Sequence, residues 1–396
     1  MASTYKQLEG TSGLTTERLE FDFTEEINKL DAKINPLTVL TNQVKKRGTT
    51  DSVVHYWYQE ELDNRWDTLG GTLATNATTV TCSNSTRFHK WDVIYVPEKN
   101  YIAIIDTAPT GTDLSVDVIN EGSATATSGE NILILGPSVE ENTDGVDAYQ
   151  GVLKPKYNLT STLQRTWGVS REVMVNAIHG GNELARLTNK KMREHARDIE
   201  LHLWWMVRNS DSSGIEALGY HRTMGGIQYF MTGSGDNNAT NTSAGGALTE
   251  AELQGWLYDC FKYTDTLYLF CGELGLQCFD NWGRGKLRML PSDRSYGLHI
   301  TEYPLSGRMA YIIDATRILE AGPGSSMTDM QDEIWALDLA DIKFLWYTGG
   351  ETKLTTNVQN PKPGVNKRED LVQSQFSMEL GNAKRHGRMY GITGVG

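Results

Sequence analysis

The acidic residues between Trp57 and Trp66 are the strongest candidates for chemistry in this sequence. The stretch WYQEELDNRW places Glu60, Glu61 and Asp63 beside two tryptophans. Paired carboxylates with an aromatic platform are the ingredients of a site that hydrolyses glycosidic bonds. That chemistry needs two carboxyl groups facing each other across a sugar, and neighbours on one short strand do not supply this geometry. A carbohydrate-active enzyme that uses these acids is therefore kept as an alternative function.

The cysteines and histidines do not follow a spacing typical of metal or catalytic sites. No CxxC pair occurs among Cys82, Cys260, Cys271 and Cys278, so we expect buried thiols rather than a structural zinc site. A lone histidine on a helix, such as His195, is more often packed or solvated than a ligand. The sequence also lacks a phosphate-binding P-loop, an HExxH motif and a GxSxG elbow. We predict a protein that is not an enzyme and uses no cofactor and no metal.

Length and hydropathy predict several domains and no membrane-spanning segment. The 396 residues exceed what one ordinary hydrophobic core accommodates, so we expect at least two domains. No apolar run approaches the roughly 20 residues that cross a bilayer. The first residues, MASTYKQLEG, do not have the basic and apolar regions of a signal peptide. We therefore expect synthesis in a cytoplasm and no membrane partner.

The net charge of −13 is distributed unevenly along the chain. Residues 67–150 contain 3 basic and 12 acidic side chains, a net charge of −9. Residues 151–222 contain 11 basic and 7 acidic side chains, and residues 353–396 contain 7 and 3, so each of these segments has a net charge of +4. The asymmetry indicates either two faces that meet different surroundings or basic segments that acidic neighbours neutralise.

A block of short β-prone segments lies between Leu69 and Gly136. Its predicted strands contain TTVTC, DVIYV, YIAIID, LSVDVI and NILILG. Short strands at regular spacing, with turn signals between them, are typical of a small sandwich or barrel. Strand-like sequence resumes afterwards at residues 154–175, so this block is predicted to be an insertion.

A long helix is predicted from Asn182 to Met206. Gly180 and Gly181 interrupt the chain before it, Asn182 can cap it, and apolar residues at spacings of three and four form one narrow stripe. Four basic residues share another side of this helix, namely Arg186, Lys190, Arg193 and Arg197. A narrow apolar stripe with a charged back predicts a helix that lies flat on a thin sheet layer.

The remaining segments differ in how well they are predicted to pack. Residues 1–50 contain few core signals. Thr24 can cap a short helix that Pro36 ends, and the following LTVLTNQVKKRGTT has no clear apolar pattern. We expect this N-terminal arm to be loose or ordered against something else. Residues 249–380, in contrast, alternate amphipathic helices with apolar strands and predict a mixed α/β region.

This layout resembles the major capsid proteins of tailed bacteriophages with the HK97-like fold, in particular the branch typified by phage SU10, whose extended loop carries an extra β domain. The resemblance lies in three stretches: TLATNATTVTCSNSTRFHKWDVIYV, STLQRTWGVSREVMVNAIHGGNELARLTNKKMREHARDIE and TMGGIQYFMTG. They match the β insertion, the returning loop strand with the long helix, and the stretch entering the axial domain. One departure is the acidic GPSVEENTDGVDA, where the family has a glycine-rich end to the insertion.

The resemblance implies an α+β, HK97-like capsid fold built from four parts. These are an N-terminal arm (1–51), an extended loop (52–175) that includes a small β barrel or sandwich at about 69–136, a peripheral domain (176–232 and 330–396) with the spine helix at 182–206, and an axial domain (233–329). The implied function is self-assembly, as pentamers and hexamers, into the head shell of the virion. A decoration or tail protein is the second alternative, since Thr-rich β modules also occur there.

The same resemblance suggests partners and contact residues. Arg186, Lys190, Arg193 and Arg197 are predicted to face packaged double-stranded DNA without recognising its sequence. The residues predicted to contact neighbouring subunits are Trp57, Glu60, Glu61, Trp66, Arg165 and Trp167. The expected partners are other copies of the chain, the DNA, and portal and scaffolding or decoration proteins. Assembly is expected in a host bacterium.

Overall fold

The computed structural model of the chain describes residues 36–43, 47–60, 62, 64–75, 77–122, 125–141, 153–175, 182–209, 222–232, 239–283, 294–295, 298–316, 318–319, 330–358 and 366–396. The chain divides into two compact units. One unit comprises residues 58–155, and the other comprises residues 1–57 and 156–396. The short helix predicted after Thr24 lies outside the described residues.

The described helices and strands are numbered in chain order. The helices are α1 (Pro36–Gln43), α2 (Arg171–Val175), α3 (Glu183–Trp205), α4 (Ile227–Thr232), α5 (Glu250–Cys260) and α6 (Glu273–Gly283). The first ten strands are β1 (Arg47–Thr50), β2 (Val54–Gln59), β3 (Trp66–Thr68), β4 (Thr79–Thr81), β5 (Asp92–Val96), β6 (Tyr101–Ile105), β7 (Asp113–Asn120), β8 (Asn131–Pro137), β9 (Lys154–Leu159) and β10 (Ser161–Ser170). The others are β11 (Thr240–Leu248), β12 (Thr266–Cys271), β13 (Arg294–Ser295), β14 (Leu298–Leu305), β15 (Arg308–Asp314), β16 (Ile334–Leu337), β17 (Ile342–Tyr347), β18 (Lys353–Thr355), β19 (Lys367–Leu380) and β20 (Gly387–Val395).

The unit of residues 58–155 is a six-stranded antiparallel β barrel. Its strand order is β3-β8-β5-β6-β7-β4, and an antiparallel bridge between Leu69 and Cys82 joins the last strand to the first. The amide groups of Gly70 and Ser83 donate hydrogen bonds across this seam to Thr81 and Thr68, both at 2.9 Å. Alternate side chains point inward, because successive residues of a strand face opposite sides. The inward set forms a separate apolar core around fully buried Ile94, Val96, Tyr101, Ile105, Leu114 and Ile132.

The larger unit contains a five-stranded sheet with the long helix α3 packed on it. The main strand order is β1-β17-β19-β10, and β18 pairs with the N-terminal half of β19. β10 and β19 form the longest ladder, an antiparallel register from Ser161 opposite Phe376 to Ser170 opposite Lys367. α3 packs against β10 and β19. The opposite side of β10 exposes Thr162, Gln164 and Thr166, so that face of the strand is open and polar.

A second, seven-stranded sheet follows the order β11-β20-β16-β12-β15-β14-β13. α5 begins at a capping box in which Thr249 and Glu252 satisfy each other's backbone N–H groups. Buried residues of α5 and α6, such as Leu253 and Phe279, pack with the sheet in one apolar cluster. The sequence assigns all of residues 330–396 to the peripheral domain, but the structure pairs β16 and β20 within this second sheet.

Two adjacent turns carry the chain between the two sheets. One turn, residues 338–341, joins β16 to β17, and the other, residues 381–386, joins β19 to β20. Asp341 holds them together, because its backbone and side chain accept hydrogen bonds from Gly381 at 3.0 Å and Asn382 at 2.5 Å. Burial alone would raise the pKa of Asp341, but hydrogen bonding to His386 and Asn382, together with the charge of Arg385, holds it below the usual range.

The expectation that the whole of residues 1–50 lacks a core is wrong for its last third. Pro36 begins a helix instead of ending one, as proline does at the first position of a helix, where its missing N–H costs no hydrogen bond. Leu37 and Leu40 of α1 are buried in the same apolar cluster as Leu203 and Trp204 of α3. β1 then pairs in parallel with β17 from Arg47 opposite Phe344 to Thr50 opposite Tyr347. Residues 36–43 and 47–50 are therefore part of the subunit's own fold.

None of the helices in the described part of the chain combines the length and the hydropathy that a bilayer-spanning helix needs.

Candidate functional site

The long helix α3 presents two sides with different chemistry. Asn182 caps it by accepting hydrogen bonds from the amides of Leu184 and Ala185, at 3.0 and 3.3 Å. Its buried residues are His195, Ile199, Glu200, Leu203 and Trp204. All of them lie in the last three turns, so the first turns of the helix are only partly covered. This is the arrangement of a helix that lies across a sheet and leaves the back of its first turns open.

The predicted basic stripe occupies the open back of α3. Residues 186, 190, 193 and 197 share one side of a helix with 3.6 residues per turn. The side chains of Lys190, Arg193 and Arg197 are exposed. Arg186 differs, because its guanidinium binds both oxygens of Glu183, at 2.7 and 2.5 Å. Three cations of the stripe are therefore exposed, and Arg193 among them also interacts within the chain. The fourth cation, Arg186, is paired with a carboxylate of the same helix.

Arg165, a predicted inter-subunit contact, forms an ion-pair network within its own chain. Its guanidinium donates to Asp198 at 2.5 and 2.9 Å and to Glu194 at 2.7 Å. Lys191 donates to the same Glu194 carboxylate at 2.8 Å. The hydrogen bond to Asp198 raises the pKa of Arg165 further, so it remains charged. This network ties β10 to the side of α3 that faces the sheet, which gives Arg165 a structural role.

A buried polar pair lies between α3 and β19. His195 Nε2 is 2.7 Å from Ser374 Oγ, and Thr352 Oγ1 is 2.8 Å from the same hydroxyl. His195 is 1% exposed, and burial lowers its pKa, although the charge of Asp198 opposes the shift. Burial lowers the pKa of His202, two turns later, for the same reason. Both histidines are therefore neutral near pH 7, and protonating either would place a charge in the helix–sheet interface.

The three tryptophans predicted as subunit contacts have different surroundings. Trp57 and Trp167 are 8% and 6% exposed, and Trp57 packs edge-on against Phe230 in the core of its own subunit. Trp66 is 46% exposed and remains available to a partner. The exposure that an inter-subunit contact requires is therefore present for Trp66 alone among these three.

The acidic stretch after Trp57 does not form a carboxylate pair in the described structure. Glu60 is exposed. Glu61 and Asp63 lie outside the described residues. The geometry of facing carboxyl groups that glycoside hydrolysis needs is therefore not provided by the acids described in this stretch.

A basic cleft of about 510 Å³ lies where β10 and α2 meet the start of β19. Arg171, Lys367 and Arg368 line it, together with the amide side chains of Asn357 and Asn366. Lys367 and Arg368 also pair with Glu369 and Asp370. The sequence alone does not predict this cleft, because its cations come from segments nearly 200 residues apart. The only available signal was the positive charge of the two segments.

The four cysteines are buried thiols, as predicted. Burial raises the pKa of Cys82 to about 11 and also raises those of Cys260, Cys271 and Cys278. A thiol with a raised pKa is a poor nucleophile and a poor metal ligand at neutral pH. Groups of three or more acidic, histidine or cysteine side chains able to hold a metal ion do not occur among the described residues.

Comparison with known proteins identifies the family. The family model described as the SU10 major capsid protein matches residues 4–393. No curated protein sequence shows significant similarity to the chain. Among solved structures, the capsid of a native GTA particle is 10% identical, with a TM-score of 0.47, over 96% of this chain and 97% of that one. The Gordonia phage Cozz structure is 11% identical, with a TM-score of 0.47, over 98% and 96%.

A third solved structure, the SrpI encapsulin of Synechococcus elongatus, is 14% identical with a TM-score of 0.37 and covers 61% of this chain and 76% of that one. These structural likenesses are weak, whereas the family match spans nearly every residue. The family match excludes the alternative of a decoration or tail protein. The chain belongs to the SU10 major capsid protein family, whose members build the head shell of phage virions.

Proposed function

We propose that the chain assembles, as pentamers and hexamers of identical subunits, into an HK97-like head shell around double-stranded DNA. The observation that carries the proposal is the family match over residues 4–393. The flat packing of α3 on one face of a single sheet supports it, because a thin shell needs a layer with two accessible sides.

The proposed domain layout follows the two sheets of the larger unit. The five-stranded sheet and α3 form the peripheral domain. The seven-stranded sheet forms the axial domain at the centre of each capsomer, and it includes β16 and β20 as well as strands from residues 233–329. Residues 52–175 form the extended loop, and residues 1–35 form the arm. The arm and the loop lie across neighbouring subunits, so that Trp66 and Glu60 meet other copies of the chain.

Charge sets the proposed orientation of the subunit in the shell. The barrel segment, residues 67–150, has a net charge of −9 and would be repelled by packaged DNA, so it is displayed outward. The exposed cations of α3, Lys190, Arg193 and Arg197, face the lumen. Their contact with DNA phosphates is weak, independent of base sequence and dependent on salt concentration. The competing role of this stripe is pairing with acidic side chains of an adjacent subunit.

The role is structural, and the remaining partners are those of a phage head. The shell meets a portal, and scaffolding or decoration proteins assist or cover it. Subunits are made in the cytoplasm of the host bacterium and end in the virion. Glu60 and its acidic neighbours serve contacts between subunits rather than sugar cleavage.

Electron microscopy of the purified protein tests this function. We expect closed shells with five-fold vertices, with barrel density outside and the α3 stripe on the inner wall. Particles that are open tubes, or a protein that remains monomeric at all concentrations and ionic strengths, would contradict shell building. Closed shells with the barrel on the inner wall would contradict only the proposed orientation.

A further inference from the structure

The start of α1 is capped by a residue far away in the sequence. Pro36 opens the helix and has no N–H of its own, so Leu37 and Thr38 provide the first backbone donors that the helix cannot satisfy. Such donors are usually capped by a side chain immediately before the helix. Here the carboxylate of Glu200, in the fifth turn of α3, accepts both of them, at 2.8 Å from Leu37 N and 2.9 Å from Thr38 N.

Glu200 is completely buried at this junction. Its exposed fraction is 0%, as is that of Leu37 and Trp204. The hydroxyl of Thr38 donates to the same carboxylate, and the indole N–H of Trp204 lies 3.4 Å from it. Glu200 therefore accepts hydrogen bonds from four donors, three of which belong to α1.

The charge of Glu200 depends on these donors. All the groups that stabilise it in the described part of the chain are hydrogen-bond donors, and none of them is a cation. Burial raises the pKa of Glu200, and the hydrogen bonds from Thr38, Leu37 and Trp204 oppose that shift. The positive end of a helix dipole favours a carboxylate at this position. Removing α1 would leave the Glu200 carboxylate with the Trp204 indole as its one remaining described donor, so the charge of Glu200 is stable only while α1 is in place.

We propose that Glu200 is the anchor that fixes α1 to α3, and so fixes the position of the chain immediately after the N-terminal arm. α1 directly follows the arm in sequence. The back of α3 that carries the basic stripe is covered at its C-terminal end by α1, through Glu200 and Trp204. The position of the arm is thereby coupled to the long helix. This inference rests on the proposed function, in which the arm contacts a neighbouring copy.

The test replaces Glu200 without changing its shape. Glu200→Gln keeps one acceptor oxygen but loses the charge and one acceptor. Glu183→Gln, in the first turn of the same helix and only partly buried, is the matched control. Hydrogen–deuterium exchange of peptides covering residues 36–43 is measured in the full-length protein, with barrel peptides as the internal reference. Particle yield is measured on the same samples.

We expect Glu200→Gln to speed exchange in residues 36–43 by about 10-fold or more, because hydrogen bonds to a charged group are worth about 1.5–3 kcal/mol. The hydrogen–deuterium exchange of barrel peptides should be unchanged, and the particle yield should fall several-fold. Glu183→Gln changes neither. Unchanged exchange in residues 36–43 of the Gln variant overturns the anchor. Faster exchange with a normal particle yield overturns the link to assembly.

A second variant covers the case in which Glu200→Gln does not fold. Thr38→Val removes only the hydroxyl that donates to Glu200, and α1 keeps its two backbone donors. We expect a smaller increase in exchange in residues 36–43, about 3-fold, with the rest of α3 unchanged. No increase in Thr38→Val overturns the anchor. If the unmodified protein forms no shells, the proposed function fails, whereas the exchange results still decide whether Glu200 holds α1.

Discussion

The barrel and the five-stranded sheet both consist mainly of antiparallel strands, but they differ in whether their edge strands are paired. In the barrel, each of the six strands has a neighbour on both sides, because the bridge between Leu69 and Cys82 closes the ring. In the five-stranded sheet, β10 has one neighbouring strand in the described part of the chain, and its ten residues form a long edge. An unpaired edge is a surface on which another chain can add a strand.

The difference indicates which unit can fold independently of the other. The barrel has its own core, and the phenol of Tyr101 and the thiol of Cys82 stay neutral over the physiological range, since burial raises their pKa values to about 12 and about 11. The larger unit takes part of its core from the N-terminal segment and holds buried histidines and a buried glutamate against its helix. We expect the barrel to resist changes that disturb the larger unit.

The largest effect is expected from deleting the segment before Asp51. Deleting residues 2–34 removes the arm and should leave both units folded, with particle formation lost. Deleting residues 2–50 also removes Leu37, Leu40 and β1, and losing two buried leucines costs about 4–10 kcal/mol, comparable to the stability of a whole domain. Circular dichroism and exchange should show an unfolded larger unit beside a folded barrel. Normal particles from the 2–34 deletion would contradict the role of the arm.

A matched pair of core substitutions tests the independence of the units. Ile94 in the barrel and Ile313 in the larger unit are both 0% exposed. Each change to alanine should lower the free energy of unfolding of its own unit by about 2–5 kcal/mol and leave the other within about 0.5 kcal/mol. Exchange rates of peptides from both units separate the two responses. If either substitution weakens both units equally, they unfold together and the comparison fails.

A smaller effect is expected when the pH is lowered, and it should be a loss of stability in the larger unit. The folded pKa values of His195 and His202 lie below the ordinary value of 6.5, so the unfolded chain binds protons first as the pH falls. The two neutral histidines contribute to the free energy of unfolding. This contribution is fully present above about pH 6.5 and is lost as the pH falls through their lower folded pKa values. Urea unfolding at pH 7.5 and pH 5 should show this loss, and His195→Gln should reduce it. Identical pH dependence in the variant would exclude His195 as its source.

The smallest effect on stability is expected from the basic stripe. Replacing Lys190, Arg193 and Arg197 with glutamine should change the free energy of unfolding by less than about 0.5 kcal/mol, because all three side chains are exposed. Arg186 is replaced in a second variant, since it also loses its pairing with Glu183. Empty shells should assemble normally, and DNA-filled shells should become less stable. Lys154, Arg222 and Lys353, also exposed, provide a control with the same change in charge.

The outcome of the stripe experiment also separates the two roles considered for α3. Failure of empty shells to assemble would make the stripe an interface between subunits and contradict the lumenal orientation. The barrel should be unaffected in both cases, which keeps it as an internal reference.

Local patterns predicted the elements well where side-chain spacing alone decides them. α3 runs from Glu183 to Trp205 with Asn182 as its cap, against a predicted span of 182–206. The five predicted β segments all contain strands, β4 to β8. The choice between a sandwich and a barrel could not be made from the sequence. It depends on a bridge between Leu69 and Cys82, two residues whose side chains carry no pairing signal.

The features that the sequence did not predict depend on contacts between distant segments. The prediction that Pro36 ends a helix misses α1, although Leu37 and Leu40 at a spacing of three after Pro36 indicate a short amphipathic helix. No local pattern in α3 predicts the burial of Glu200, because that burial depends on α1, 162 residues earlier in the chain. Trp57 and Trp167 were assigned to subunit contacts, but they fill this chain's own interior. No local pattern distinguishes these two uses of a tryptophan.

The pairing of β2 with β9 affects how this protein can be altered and how it could have arisen. The barrel unit begins at Tyr58 and ends at Pro155, and these residues lie in two paired strands. A segment whose two ends are neighbours can be removed or exchanged without stretching the chain that holds it. The barrel is therefore a cassette. It could have been acquired by a single genetic insertion, and it could be replaced by a foreign domain of similar end spacing to make a display particle.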